Sequence, residues 1–425
     1  MNLTSTQKAP NSSLVTLHFM VGGISIVLFA FILMLKPEVL LLHYFNPTLL
    51  AATHLLVLGF ITTICFGALY QLIPVILNVK LYSEKLGWIS LSFLFIGIIL
   101  LVIAFWNLNF KILFNIASSL IIIAVTIFKI NLIVTSKINK EKSIEKQFIL
   151  TAVGWLFITV LAGFLFGINL AHHFIPISHL ELLKLHAHLG IFGWFIQLII
   201  GVGSKLFPMF LLSYEADKKP LRYSYLSINI GLIIGVLSLF YAFEIGIITA
   251  IALVIFGIIN FLRFIYQTFT LRTKKKLDVG MKKSIIAITF LLIPLILITL
   301  TIYNPNNVIK ETTSLELVYG FTLLVGVISM LIMGLTYKTL PFIIWLKVYK
   351  NVVGKQKTPL PKDLYSEKIQ TYQLLSFMIG FWILIIGIII STIEFLKIGT
   401  LIFFISTVLY FINILKIVTH KTKIT

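Results

Sequence analysis

The segment His54-LLVLGFITTICFGALYQLIP-Val75 decides how the chain is read, because it returns twice without gaps. Its counterparts are His188-LGIFGWFIQLIIGVGSKLFP-Met209 and Phe321-TLLVGVISMLIMGLTYKTLP-Phe342. Five residues in, each has glycine (Gly59, Gly193, Gly326). At thirteen each has glycine again (Gly67, Gly201, Gly334), and at twenty each has proline (Pro74, Pro208, Pro341). Glycine in apolar helices lets backbones approach closely, but proline at a fixed distance from two glycines is a stronger pattern. The starts lie 134 and 133 residues apart. That spacing holds about four helices, so the expectation is three four-helix repeat units, 1–140, 141–275 and 276–425, in a single membrane domain spanning 1–425.

Composition agrees with an all-α polytopic membrane protein. Of 425 residues, 59% are hydrophobic and 11% charged, against about half and about a quarter in a soluble domain. Apolar blocks are long enough for helices of roughly 20 residues to cross a hydrocarbon layer. Blocks bounded by charge, Pro and Asn predict about twelve spans, near 17–36, 49–77, 86–105, 111–134, 148–169, 184–212, 223–242, 245–268, 282–302, 314–346, 368–391 and 395–416. The first is too long for a signal-peptide core and has no small-residue cleavage site behind it, so it reads as an uncleaved helix.

Charge sets the orientation. If the N-terminus is cytoplasmic, only Lys36, Lys111, Lys184, Lys310 and Lys397 of the 34 Lys and Arg fall outside, as the positive-inside rule requires. The runs Lys137–Lys146, Arg272–Lys283 and Lys347–Lys368 become cytoplasmic loops facing the lipid bilayer's anionic surface. The net charge of +20 is spread over such loops rather than clustered on one folded face, which argues against nucleic acid as a partner. A lone cysteine, Cys65, excludes an intramolecular disulfide and a thiolate zinc site.

Seven of the nine histidines then gather at the outer level: His43, His54, His172, His173, His179, His186 and His188. Histidine is the commonest metal ligand, and ionisable groups inside spans face interiors, cavities or ligands. His54 and His188 occupy the same repeat position and are the first candidates for cofactor binding, with His186. The interfacial His172, His173 and His179 are candidates for metal binding, though loop solvation is the commoner fate of such residues. His186 and His188 are two residues apart, about 200° on a helix, so their rings face opposite sides and serve different sites. His18 and His420 read as structural or solvated. Trp155, Trp194 and Tyr70 read as packing or interfacial-belt residues, Glu181 as a loop carboxylate, and Lys205 and Lys338 as snorkelling to the cytoplasmic boundary. On an ideal helix the glycines and the proline of each repeat share one face, and the first residue points the other way.

Twelve helices, a pseudo-threefold four-helix repeat and a histidine at the outer end of helix two resemble subunit I of the haem–copper oxidases. The segment beginning at His54 looks like helix two of the nitric oxide reductase branch, where the corresponding histidine binds the low-spin haem. The layout is also similar, more loosely, to the NnrS family of haem- and copper-containing membrane proteins. The resemblance implies haem, with copper second, held near the non-cytoplasmic face by His54, His186 and His188. It further implies electron transfer or NO/O₂ handling, an electron-donor protein at the outer face, and the plasma membrane of a bacterium or archaeon. The chain departs from that family in two places. The third repeat has Phe321 where the family has helix-ten ligands, and Tyr241-Ala242-Phe243-Glu244 stands where the copper site needs a His-His pair. The usual binuclear centre is therefore not encoded, so an oxidase acting alone is not expected, while a role as an oxidoreductase stays open. The alternative expectation is non-redox reuse of the scaffold, as a transporter or as a metal or haem assembly factor.

Overall fold

A computed structural model describes residues 10–303, 313–353 and 355–421, so Lys310 among the five outer lysines lies outside the described residues. The described residues form twelve helices long and apolar enough to cross a membrane: α1 Ser12–Leu35, α2 Pro47–Leu77, α3 Glu84–Trp106, α4 Ile112–Ile138, α5 Ile144–His172, α6 His179–Leu211, α7 Lys219–Phe240, α8 Glu244–Thr270, α9 Val279–Thr299, α10 Leu315–Tyr349, α11 Glu367–Ile389 and α12 Ile393–Val418. No strand occurs among the described residues. Helix starts are written locally. The side-chain oxygens of Asn11, Ser83, Ser143, Ser178, Asp278 and Ser366 each accept a first-turn N–H that no helical carbonyl reaches. α9 is interrupted at Phe290–Leu291, where Pro294 lacks an N–H and crowds the carbonyl four residues back.

The chain packs as two compact units, residues 1–108 with 278–425, and residues 109–277. The repeat boundary expected at 140/141 is not a packing boundary, because α4 lies against α5. In the first unit α2 packs on α1 and α3, α10 on α9, and α12 on both α11 and α1. In the second, α5 packs between α4 and α6, and α7 against α8. Each interior is aromatic: Phe60, Phe377, Phe381, Phe403 and Tyr410 are fully buried in the first unit, and Phe148, Phe261 and Phe264 in the second. Large apolar side chains such as Leu28, Phe95, Ile123, Ile233, Phe256 and Trp382 are exposed. Such a surface suits a lipid bilayer, since water would penalise that much contiguous apolar area.

The repeat is visible in the packing. A methyl group added at Gly67 would stand 2.5 Å from His18 of α1, at Gly201 2.8 Å from Phe148 of α5, and at Gly334 2.5 Å from Ser284 of α9. The second glycine of each repeat is thus where its second helix crosses its first. All three second helices also change winding at the same place. Residues Leu55–Thr62, Leu189–Ile196 and Thr322–Ser329 form π-helix, each starting immediately after the first residue of the repeat and enclosing its first glycine. Hydroxyls accompany the wider winding in two of the three: Thr63 Oγ1 donates to the Leu58 carbonyl (2.8 Å) and Ser329 Oγ to that of Leu324 (2.7 Å), each five residues back. Such segments are rare and concentrate at functional sites.

Candidate functional site

His54 is the last residue before the π segment of α2, and His188 holds the same position in α6. Both side chains are half-buried. The His54 Nδ1 lies 2.8 Å from the Leu50 carbonyl oxygen, and the His188 Nδ1 lies 2.7 Å from that of Lys184. A carbonyl oxygen only accepts, so Nδ1 carries the proton in each ring and the lone pair of the neutral imidazole is on Nε2. An aromatic ring fixes each plane. Phe105 of α3 lies over His54 at 4.5 Å between centroids, and Phe192, one turn on, stacks with His188 at 5.8 Å. This anchoring is not unique to the pair, because His18 Nδ1 bonds the Leu14 carbonyl at 2.7 Å.

His186 meets a different neighbour. Its ring sits over Gly163 of α5, where a methyl group would lie 2.7 Å from Cε1.

The loop histidines are dispersed. His173 ends α5 in the left-handed conformation (φ 49°), and its ring meets His179 edge-on at 5.2 Å. His172 lines a surface cleft of about 380 Å³ with Phe110, Lys111, Asn115 and Ile168. His43 accepts the Phe45 N–H (3.0 Å) and stacks on Tyr44, which gives it a turn-forming role. Among the described residues no three of His, Cys, Asp and Glu converge closely enough to hold a metal ion, so His172, His173 and His179 are not gathered into a common ligand set. Glu181 starts α6, where its N–H bonds the capping Ser178 (3.2 Å).

The third repeat closes the equivalent position. Phe321 stacks on Phe381 (5.8 Å) and leans on Phe403 (6.5 Å), and Phe381 stacks in turn on Phe290 (5.3 Å). No atom in this stack can ligate iron or copper. The donor set therefore fits haem held by one imidazole at His54, and by one at His188, and does not fit a haem bridged between α2 and α10. Copper, which needs several converging donors, is not fitted by the residues described.

Three polar groupings within the spans have no counterpart among the sequence-based expectations. In the second unit Trp155 Nε1 donates to Asn229 Oδ1 (2.8 Å), and Asn229 exchanges hydrogen bonds with the fully buried Gln197 (3.1 and 3.2 Å). Trp155 is thus a hydrogen-bonded strut as well as a packing residue. In the first unit Lys338 pairs with Asp278 instead of snorkelling. Lys283, expected as part of a cytoplasmic basic run, is fully buried inside α9 and donates to Gln373. No linear signal marks these pairings, since the partners lie on other helices. Compared with known proteins, the chain matches no family model and no curated relative, so the resemblance to the oxidase families rests on its own residues.

Proposed function

We propose that this is a membrane protein that binds haem through His54, and through His188, one imidazole to each haem, for electron transfer or for handling a diatomic gas such as NO or O₂ near the non-cytoplasmic face. The observation that carries the reading is the repeat-matched pair of imidazoles, each with Nδ1–H fixed on the carbonyl four residues back, which makes Nε2 the ligating nitrogen. Bound haem would supply a redox couple and an open coordination position for a gas. The protein's own contribution is positional. The Leu50 and Lys184 carbonyls hold the tautomer and raise the basicity of the ligating nitrogen, as hydrogen-bond partners of metal-bound histidines generally do. The Phe105 and Phe192 rings hold the imidazole planes, and the apolar spans around them keep bulk water away. No copper step enters, because the donors for it do not converge.

The test is haem content. Full-length protein made with haem supplied should carry haem in proportion to its intact histidines, with less in His54→Ala and in His188→Ala and none in the double variant. Stoichiometry that ignores both substitutions refutes the assignment.

The reading of the scaffold as a transporter or assembly factor has one observation in its favour: the stack of Phe321, Phe381 and Phe403 fills the third repeat with a ligand-free aromatic wall. Under that reading His54→Ala abolishes transport or maturation of a partner while no preparation ever retains haem. The three repeats run in the same direction through the membrane, whereas many transporters are built from inverted ones.

A further inference from the structure

Two buried basic side chains, both in the first unit, are left unused by the haem reading. His18 on α1 and Lys283 on α9 are each 0% exposed. Each sits beside the helix crossing at the second glycine of its repeat. His18 lies against Gly67, the second glycine of the first repeat, and Ser284, the neighbour of Lys283, lies against Gly334, the second glycine of the third. Each base also faces a tyrosine at one repeat position, sixteen residues after His54 and after Phe321. The His18 ring meets Tyr70 edge-on at 5.6 Å, and the Lys283 ammonium stands 5.2 Å above the Tyr337 ring. In the second repeat that position is Ser204, and Phe148 takes the place of His18, so the pair has no counterpart there.

Neither base has a counter-charge among the described residues. His18 gives its Nδ1–H to the Leu14 carbonyl, and its Nε2 has no hydrogen-bond partner. Lys283 donates to Gln373 Oε1, and the Gln373 amide passes a bond on to Ser406 Oγ (2.9 Å). Asp278, which caps the start of α9, accepts the Met281 N–H at Oδ1 and pairs with Lys338 through Oδ2. The remaining titratable groups that face Lys283 through Tyr337 are Tyr410 of α12, 6.1 Å from the Tyr337 ring, and Tyr365 of the preceding loop, 5.1 Å from it. Burial, with Asp278, Glu367 and Asp363 adding to it, pushes the Tyr365 phenol up to about 12, so it stays neutral. Around His18 the facing titratable group on α2 is Tyr70, while Glu84 at the start of α3 accepts the Asn11 N–H (3.0 Å).

Ionisable side chains within membrane spans are rare, face interiors, and mark substrate and ion pathways and proton relays. Both bases lie close to the start of their helices. His18 is six residues into α1 and Lys283 four residues into α9, about 9 Å and about 6 Å of helix rise from the ends. We propose that His18 and Lys283 are proton-exchange sites opening to the boundary at the proline ends of α2 and α10, two stations with Tyr70 and Tyr337 as their positioning residues. The step is proton transfer alone. An N–H bond of the imidazolium or ammonium breaks, the electron pair stays on nitrogen, and a water oxygen at the boundary takes the proton; reprotonation is the reverse. Haem is not required for it.

Nitrogen NMR of full-length protein in lipid, with side-chain-labelled lysine and histidine, reads this directly. The signal missing in Lys283→Gln should pass between ammonium and amine as the pH is changed, exchanging its protons with bulk water. The signal missing in His18→Gln should pass between imidazolium and the Nδ1–H tautomer within the accessible range. Should Lys283→Gln fail to fold, Gln373→Glu supplies the absent carboxylate and should hold the Lys283 signal as ammonium. A Lys283 signal that keeps one form throughout, or is indifferent to Gln373→Glu, overturns the proposal, as does a His18 signal that keeps one form throughout.

Discussion

At Gly67 the backbone of α2 passes so close to α1 that a methyl group would meet the His18 Cβ at 2.5 Å and the Val15 carbonyl at 3.3 Å. A backbone carbonyl cannot step aside, so Gly67→Ala overpacks the crossing, at a cost of about 1–3 kcal/mol. Gly154 in α5 is the control, with nothing within 4 Å of an added methyl; there Gly→Ala should stabilise by up to about 1 kcal/mol through helix propensity alone. Unfolding of the two variants in detergent should separate them in sign, and equal behaviour would contradict the packing role of the repeat glycines. The same glycines were legible in the sequence because a fixed offset in three copies survives any uncertainty about helix ends. His54 and His188 were legible for the same reason. The burial of His18 and Lys283 was not, because hydropathy reports one helix at a time, whereas burial is decided by what Gly67, Tyr70, Tyr337 and Gln373 bring from others.

The π segments are the main feature of the elements that a helical wheel misses. A wheel at a uniform 100° per residue sets the first residue of each repeat opposite its glycines and proline, but a π turn holds an extra residue, which shifts what precedes it by about 100°. The direction in which His54 and His188 point therefore depends on Leu55–Thr62 and Leu189–Ile196 keeping their winding. Phe321 precedes an equivalent segment without being a ligand, so the winding belongs to the scaffold and the histidines use it. Inserting one alanine after Val57, into a segment that already holds its extra residue, should swing His54 by about 100° relative to the rest of α2. Circular dichroism should then show an intact helical protein, while haem bound at His54 is lost. Full haem retention would separate the π segment from ligand placement.

For the whole molecule, composition and span count are enough to reach twelve helices, because a bilayer leaves few options for a chain this apolar. The division into residues 1–108 with 278–425 and residues 109–277 was not legible in the sequence, since it depends on which helices pack and not on how apolar each one is. The uneven distribution of Lys and Arg gives the orientation as an expected outcome: both termini, the loop between α4 and α5 and the loop between α8 and α9 cytoplasmic. Reporter fusions at those loops and at 174–178 should report opposite compartments, and the reverse result would move His54, His186 and His188 to the cytoplasmic side. Haem on His54 and His188 is tested most directly by the reduced-minus-oxidised optical spectrum of the purified protein. The expected result is a Soret band that shifts on reduction, weakens in His54→Ala and in His188→Ala, and disappears in the double variant; a colourless protein after expression with haem, or a spectrum untouched by either substitution, would contradict haem binding at these histidines.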